Sequence, residues 1–238
     1  MKRILLILLR NIFFLPFGCF KLCHYAKHSN EYPEAEKYAL MRKFAKCMID
    51  GGRVTLEVHG QENLPQDSCF MFFPNHQGLF DGFAIVHVME RPFSTVYKKE
   101  LDKIPFVKQV LASVKAVALD RDDIRQGLAV INQVSDEVKN GRNFMIFAEG
   151  TRSKNENQLL DFKGGSFKSA TKVKCPIVPV ALIDSYQVFD SHSLKRITVQ
   201  VHFLQPLYYD DYKGMRTTQI AEIVKEAVEE AMDTHATP

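Results

Sequence analysis

The sequence carries no disulfide framework to staple a fold together. Its five cysteines, Cys19, Cys23, Cys47, Cys69 and Cys175, form no C-x-x-C pair. An odd number without a pairing pattern fits a reducing compartment, so they read as buried or lipid-facing thiols. No cluster of His, Cys, Asp and Glu has metal-ligand spacing, and no nucleotide-binding loop occurs. Neither a metal nor a nucleotide cofactor is therefore expected. The serine-hydrolase elbow G-x-S-x-G is missing as well, because Gly164-Gly165-Ser166-Phe167-Lys168 lacks the final glycine. Internal repeats, low-complexity stretches and long linkers are absent, which leaves one folded unit.

Acidic residues are absent before Glu31. Residues 1–50 hold nine Lys/Arg against four Asp/Glu, a net of +5, while the remainder holds 22 against 24, a net of −2. The overall charge of +3 is too small to imply nucleic acid. A basic, apolar end on a near-neutral body suits an anionic membrane surface instead. The uninterrupted apolar run there, Ile4 to Leu9, is only six residues. Arg10, Asn11 and Pro16 break its continuation, whereas a span wants about 20 apolar residues. Lys2, Arg3, Arg10, Lys21 and Lys27 punctuate the segment, as expected where basic heads snorkel to the headgroups. No small-x-small cleavage site follows. The pattern favours an interfacial or re-entrant anchor over a full span or a cleaved signal peptide. A second amphipathic stretch, residues 34–49, places Ala35, Tyr38, Ala39, Met41, Phe44, Ala45 and Met48 at near-helical spacing. Core packing and membrane contact both explain it.

At 238 residues, with 46% hydrophobic and 25% charged, the chain has room for one large α/β domain. Residues 53–59 alternate as a strand, and 69–73 form a short apolar run before Pro74. Helix and strand signals then alternate. Strands are expected at 94–97, 114–119, 144–147, 177–183 and 197–204, and helices at 81–89, 105–113, 165–172 and 217–232. The best soluble helix spans 123–140, with Ile124, Leu128, Ile131, Val134 and Val138 on one stripe and Gly141 stopping it. This order predicts a single α/β domain over 51–238, its mostly parallel sheet flanked by helices, behind membrane-associated helices in residues 1–50.

Two polar clusters follow apolar strands, where open α/β sheets place their ligands. In Asn75-His76-Gln77-Gly78-Leu79-Phe80-Asp81, the His and Asp are five apart, about 500° on a regular helix, so their side chains would point roughly 140° apart. They meet only if His76 lies in a turn and Asp81 begins the helix. Pro74 and Gly78 supply the turn chemistry. An imidazole held by a carboxylate is a general base of fixed tautomer; a capping Asp beside an exposed histidine is the plainer alternative. In the second cluster, Glu149-Gly150-Thr151-Arg152-Ser153, Gly150 permits close backbone approach, Thr151 donates a hydrogen bond and Arg152 offers a planar fork for phosphate. A turn with a solvated Arg152 is the alternative there. Lys98, Lys99, Arg121 and Lys163 are further cationic candidates, each by itself readable as surface charge.

Together the clusters resemble the glycerolipid acyltransferases, in particular the bacterial 1-acylglycerol-3-phosphate acyltransferases. N-H-x4-D matches Asn75–Asp81 and E-G-T-R-S matches Glu149–Ser153. Between them, Lys98-Lys99-Glu100-Leu101 with Ile104-Pro105-Phe106 is similar to the family's second block, and Ala118-Leu119-Asp120-Arg121 to the strand-end Asp-Arg. Phe162-Lys163-Gly164-Gly165-Ser166 and Ile177-Val178-Pro179-Val180 match later blocks, in family order over residues 50–205. Ala148 replaces a proline, Lys108 a glycine and Ser166 a small apolar residue, none of them in the His-Asp pair. The resemblance implies acyl transfer from acyl-CoA or acyl carrier protein to the free hydroxyl of a lysophospholipid, giving phosphatidic acid at the cytoplasmic face of the cell membrane. It implies His76 as base, Asp81 as its orienting partner, and Arg152, Thr151 and Gly150 on the acceptor phosphate. It also implicates Glu149 and Lys98 in the same site, and Asn75 is a candidate to orient the loop or a substrate oxygen. Alternatives are glycerol 3-phosphate or another lysolipid as acceptor, a thioesterase using the same pair, and a non-enzymatic lipid binder.

Overall fold

Phe70, Met71, Phe72 and Phe73 are all fully buried, as expected of a strand covered on both faces. In the computed structural model, which describes residues 2–104, 106–120 and 123–235, this run leads into a strand near the middle of the sheet. Pro105 and Arg121, named above, lie outside the described residues, as does the side chain of Ile124. Among the described residues seven strands form one sheet: β1 (Val54–His59), β2 (Met71–Pro74), β3 (Phe93–Lys98), β4 (Val117–Leu119), β5 (Asn143–Met145), β6 (Ile177–Ile183) and β7 (Ile197–Phe203). Their order is β1-β7-β6-β2-β5-β3-β4. β6, β2, β5, β3 and β4 run parallel; β7 is antiparallel to β6, and β1 pairs parallel with β7.

The helices are α1 (Lys2–Arg10), α2 (Phe14–Lys27), α3 (Glu34–Gly52), α4 (Phe80–Val88), α5 (Val107–Ser113), α6 (Ile124–Lys139), α7 (Lys168–Val173), α8 (Gln187–Asp190), α9 (Tyr209–Tyr212) and α10 (Thr217–His235). Side-chain alternation sorts the core into two layers. Met71, Phe73, Phe144, Ala181 and Ile183 face α6, α7 and α10 through Val134, Ala170, Val224 and Val228. Phe70, Phe72, Val180, Leu182 and Val201 face α3 and α4 through Tyr38, Ile49, Phe80 and Ile85.

Two expectations need correction. Leu128 is 61% exposed, and the core face of α6 is Val130, Val134 and Val138. Asp123 caps the helix by accepting from the N–H groups of Arg125 and Gln126. Leu128 then falls two residues, about 200°, away from Val130 and turns to solvent. Arg3 does not snorkel: it is 1% exposed, and its guanidinium donates to the carbonyls of Gly52, of Ser193 at 2.7 Å and of Lys195 at 2.8 Å.

In α3, Tyr38, Met41, Phe44, Ala45 and Ile49 are buried while Ala35 and Ala39 stay exposed. The Tyr38 hydroxyl donates to the Met89 carbonyl at 3.2 Å, so core packing accounts for its inner face. α1 seats Ile7 against Gly51 and Gly52; a Cβ on Gly51 would stand 2.6 Å from the Asn11 amide nitrogen, so a larger residue there would displace the Asn11 side chain. α1 and α2 meet at 88°, and no single helix among the described residues is long and apolar enough to cross a membrane. Their outer surface is apolar, with Leu5, Leu9, Phe13, Phe17 and Phe20 between 59% and 95% exposed.

Candidate active site

The site forms at the carboxyl edge of β2, β5 and β6. As β2 ends, Asn75 substitutes its side chain for the next rung of the ladder: its amide donates to the Leu182 carbonyl at 2.9 Å and accepts from the Leu182 N–H at 2.7 Å. With both groups engaged and 1% exposure, Asn75 braces the loop and does not face a substrate. The chain then turns outward and delivers His76.

Both backbone groups of His76 are held by the second polar cluster. Its N–H donates to Glu149 Oε1 at 2.6 Å, and its carbonyl accepts from the Ser153 N–H at 2.8 Å. Its ring stacks on Phe147 with centroids 3.9 Å apart. Nδ1 lies 2.7 Å from Asp81 Oδ2. Donation to a carboxylate places the proton on Nδ1, leaving Nε2 as the basic nitrogen with no partner among the described residues. The His76 side chain is 22% exposed and Asp81 is fully buried, so the base meets the cleft and its partner does not.

Asp81 sits in the first turn of α4, as the spacing required, yet it is no helix cap. Its Oδ2 reaches back to accept from the N–H groups of Gln77 at 2.7 Å and Gly78 at 2.9 Å, besides His76. Its Oδ1 accepts from the Ser185 hydroxyl. Four donors around one carboxylate compensate its loss of water.

Glu149, 2% exposed, also accepts from the Leu160 N–H at 3.0 Å. Burial pushes its carboxyl above the usual range, and the two N–H donors pull the other way. It therefore ties two loops together and offers nothing to the cleft. Gly150 adopts φ +74°, and a Cβ there would lie 3.1 Å from Lys163 Nζ, so glycine lets that ammonium approach the backbone. Thr151, Arg152 and Lys163 are exposed. Among the described residues Arg152 and Lys163 have no carboxylate within ion-pair distance, while Lys98 pairs with Glu100 at 3.0 Å and Lys99 with Asp120 at 3.5 Å. Geometry thus brings His76, Asp81, Glu149 and Ser153 into one bonded frame, with Lys163 beside Gly150 and Arg152 exposed in the same loop.

Four residues of this frame were given no role from sequence. Gln77 Oε1 accepts from the Ser185 N–H at 3.0 Å, and Gln77 Nε2 donates to Asn157 Oδ1 at 2.7 Å. Asn157 in turn holds Asp184 through two bonds of 3.0 Å. The only available signal for Ser185 was its place just beyond the buried strand β6, the same signal that marked His76.

The family model named Acyltransferase matches residues 55–183, more than half the chain, and spans both polar clusters. The 1-acyl-sn-glycerol-3-phosphate acyltransferase of Borreliella burgdorferi is 28% identical over 195 residues, covering 79% of this chain and 78% of that protein. The Helicobacter pylori protein of the same name is 31% identical over 154 residues, covering 65% and 64%. The crystal structure of the 1-acyl-sn-glycerophosphate acyltransferase PlsC from Thermotoga maritima shares the fold, with TM-score 0.78, 24% identity and 98% and 95% coverage. With its two motif loops bonded to each other around His76 and the family match running through both, the chain belongs to the Acyltransferase family.

Proposed function

We propose that this acyltransferase acylates the free hydroxyl of 1-acylglycerol 3-phosphate, using acyl-CoA or acyl carrier protein as donor and giving phosphatidic acid. The observation that carries the reading is the His76–Asp81 pair, fixed by the loop that presents Arg152. Relatives named for this reaction support the acceptor.

In this mechanism His76 Nε2 takes the acceptor's hydroxyl proton as that oxygen attacks the thioester carbonyl. The tetrahedral adduct collapses with cleavage of the C–S bond, and the imidazolium returns the proton to the departing thiolate. Asp81 holds the imidazole and stabilises its charged form, and no covalent enzyme intermediate arises. Arg152 grips the acceptor phosphate through its fork, and Lys163 adds a point charge beside Gly150.

The reading includes docking at the cytoplasmic face of the cell membrane. Phe13, Phe17 and Phe20, at 95%, 70% and 74% exposure, would each gain about 1.5–3 kcal/mol on full burial in lipid. An apolar groove of about 310 Å³ between Leu8, Leu9, Ile12, Leu15, Pro16 and Cys19 belongs to the same surface. Basic residues around it suit anionic headgroups.

The test uses purified protein in detergent with both donors, offered lysophosphatidate, glycerol 3-phosphate and a neutral lysolipid, with thioester hydrolysis followed in parallel. Acyl transfer to lysophosphatidate above the other acceptors is expected. Equal use of the neutral lysolipid would remove the phosphate assignment, and hydrolysis without transfer would make the protein a thioesterase.

A further inference from the structure

We propose that Ser185 is a positioning residue of the reaction, acting on His76 through the hydrogen bond from its buried hydroxyl to Asp81 Oδ1. The inference rests on the His76–Asp81 reading above and extends it to a third side chain.

Ser185 is 1% exposed, so its hydroxyl is shut off from bulk solvent and from substrate. Two acceptors lie in reach, Asp81 Oδ1 and Gln77 Oε1, the latter at 3.0 Å. A hydroxyl has one proton to give. Gln77 Oε1 already receives the Ser185 N–H, whereas Asp81 Oδ1 has no other donor among the described residues. The proton therefore goes to Asp81. All of the remaining donors converge on Oδ2: the imidazole and two backbone N–H groups. Ser185 alone fixes the second oxygen, and with it the carboxylate plane in which the imidazole must lie.

The position of Ser185 is itself built. Asp184 takes φ +63°, which turns the chain directly after β6. Asn157 holds that turn by bonding both the N–H and the carboxylate of Asp184. The same Asn157 Oδ1 accepts from Gln77 Nε2, so loops following β2, β5 and β6 lock around Asp81. Glu149, on the His76 N–H, is the other carboxylate against the pair, and Asp184 is occupied by Asn157 and Gln187.

Without the hydroxyl, Oδ1 is buried with no donor, and the carboxylate holds the imidazolium more tightly. The experiment compares Ser185→Ala, Ser185→Thr and Ser185→Cys with wild type and Asp81→Asn, as full-length enzyme in detergent. Measured are kcat and KM for donor and acceptor, the pH profile of kcat/KM, and thermal unfolding. Ser185→Ala is expected to lower kcat about 10- to 100-fold, with both KM values within about twofold, and to move the acid limb to higher pH. Ser185→Thr, which keeps the hydroxyl, restores the limb. The nearly isosteric Ser185→Cys, a weaker donor, moves it part of the way and serves if the alanine variant does not fold. An unmoved acid limb with kcat within about threefold of wild type, whatever the melting temperature, would overturn the inference. Substantial activity in Asp81→Asn would instead overturn the underlying pair.

Discussion

Glu149 serves two loops with one carboxylate: one oxygen takes the His76 N–H, the other the Leu160 N–H. A glutamine can accept only one of these and turns its NH₂ toward the other donor. Glu149→Gln is therefore expected to cost about 1–3 kcal/mol of stability and to lower kcat by misplacing His76, read by denaturant unfolding and kinetics. Unchanged stability would contradict the bracing role. Arg152, exposed and without a carboxylate partner among the described residues, should behave oppositely. Arg152→Ala should reduce acceptor kcat/KM about 10- to 150-fold, from the roughly 1.5–3 kcal/mol of a charge-assisted hydrogen bond, while leaving stability and acceptor-free hydrolysis unchanged. Arg152→Lys should recover part of it. Equal losses in transfer and hydrolysis would mean that Arg152 supports the pair and not the phosphate. The His76–Asp81 pair was legible through the N-H-x4-D resemblance, since its spacing alone left a capping Asp beside an exposed histidine as the plainer alternative. Asn75 was legible as either a loop brace or a substrate contact and Glu149 as a site residue but not as a brace, since sequence does not say whether a polar side chain faces a cleft or satisfies a buried backbone group. Ser185 was invisible because a serine after a strand is commonplace.

The N-terminal helices divide their residues between two tasks. Outward, Phe13, Phe17 and Phe20 are exposed; inward, Arg3 and Ile7 are buried against Gly52 and the loop before β7. Replacing the three phenylalanines with serine should abolish flotation with anionic liposomes at unchanged melting temperature. Arg3→Ala should destabilise the fold by roughly 2–4 kcal/mol, by removing the donor to three carbonyls. Unchanged stability in Arg3→Ala would contradict the docking role of its guanidinium. The apolar run was readable from sequence, but which face of a short helix meets protein depends on the partner surface, as the rotated stripe of α6 also illustrates. At the far sheet edge, His59, His202 and His235 stack with neighbouring centroids 4.5 Å apart. Burial, then the two neighbouring imidazoles, lower His202 to about 4 from 6.5. Between these values the unfolded chain binds more protons than the native one, so stability should fall as pH drops from about 6.5 to about 4. His202→Asn should flatten that slope in thermal melts taken against pH.

On the scale of the molecule, the sheet order decides where chemistry can occur. β2 lies between β5 and β6, all three parallel, so the loops carrying His76, Glu149–Ser153 and Ser185 emerge on one edge. Alternating helices and strands made a mostly parallel sheet readable in advance. The reversed pair β7 and β1 was not, because period-two alternation encodes faces and not direction. In the proposed mechanism His76, held by Asp81, is the general base for acyl transfer. The most direct measurement is kcat/KM for lysophosphatidate acylation by His76→Ala beside wild type, with unfolding curves for both. A loss of about 10²- to 10⁴-fold with an unchanged cooperative transition is predicted. Activity within about threefold of wild type would contradict it.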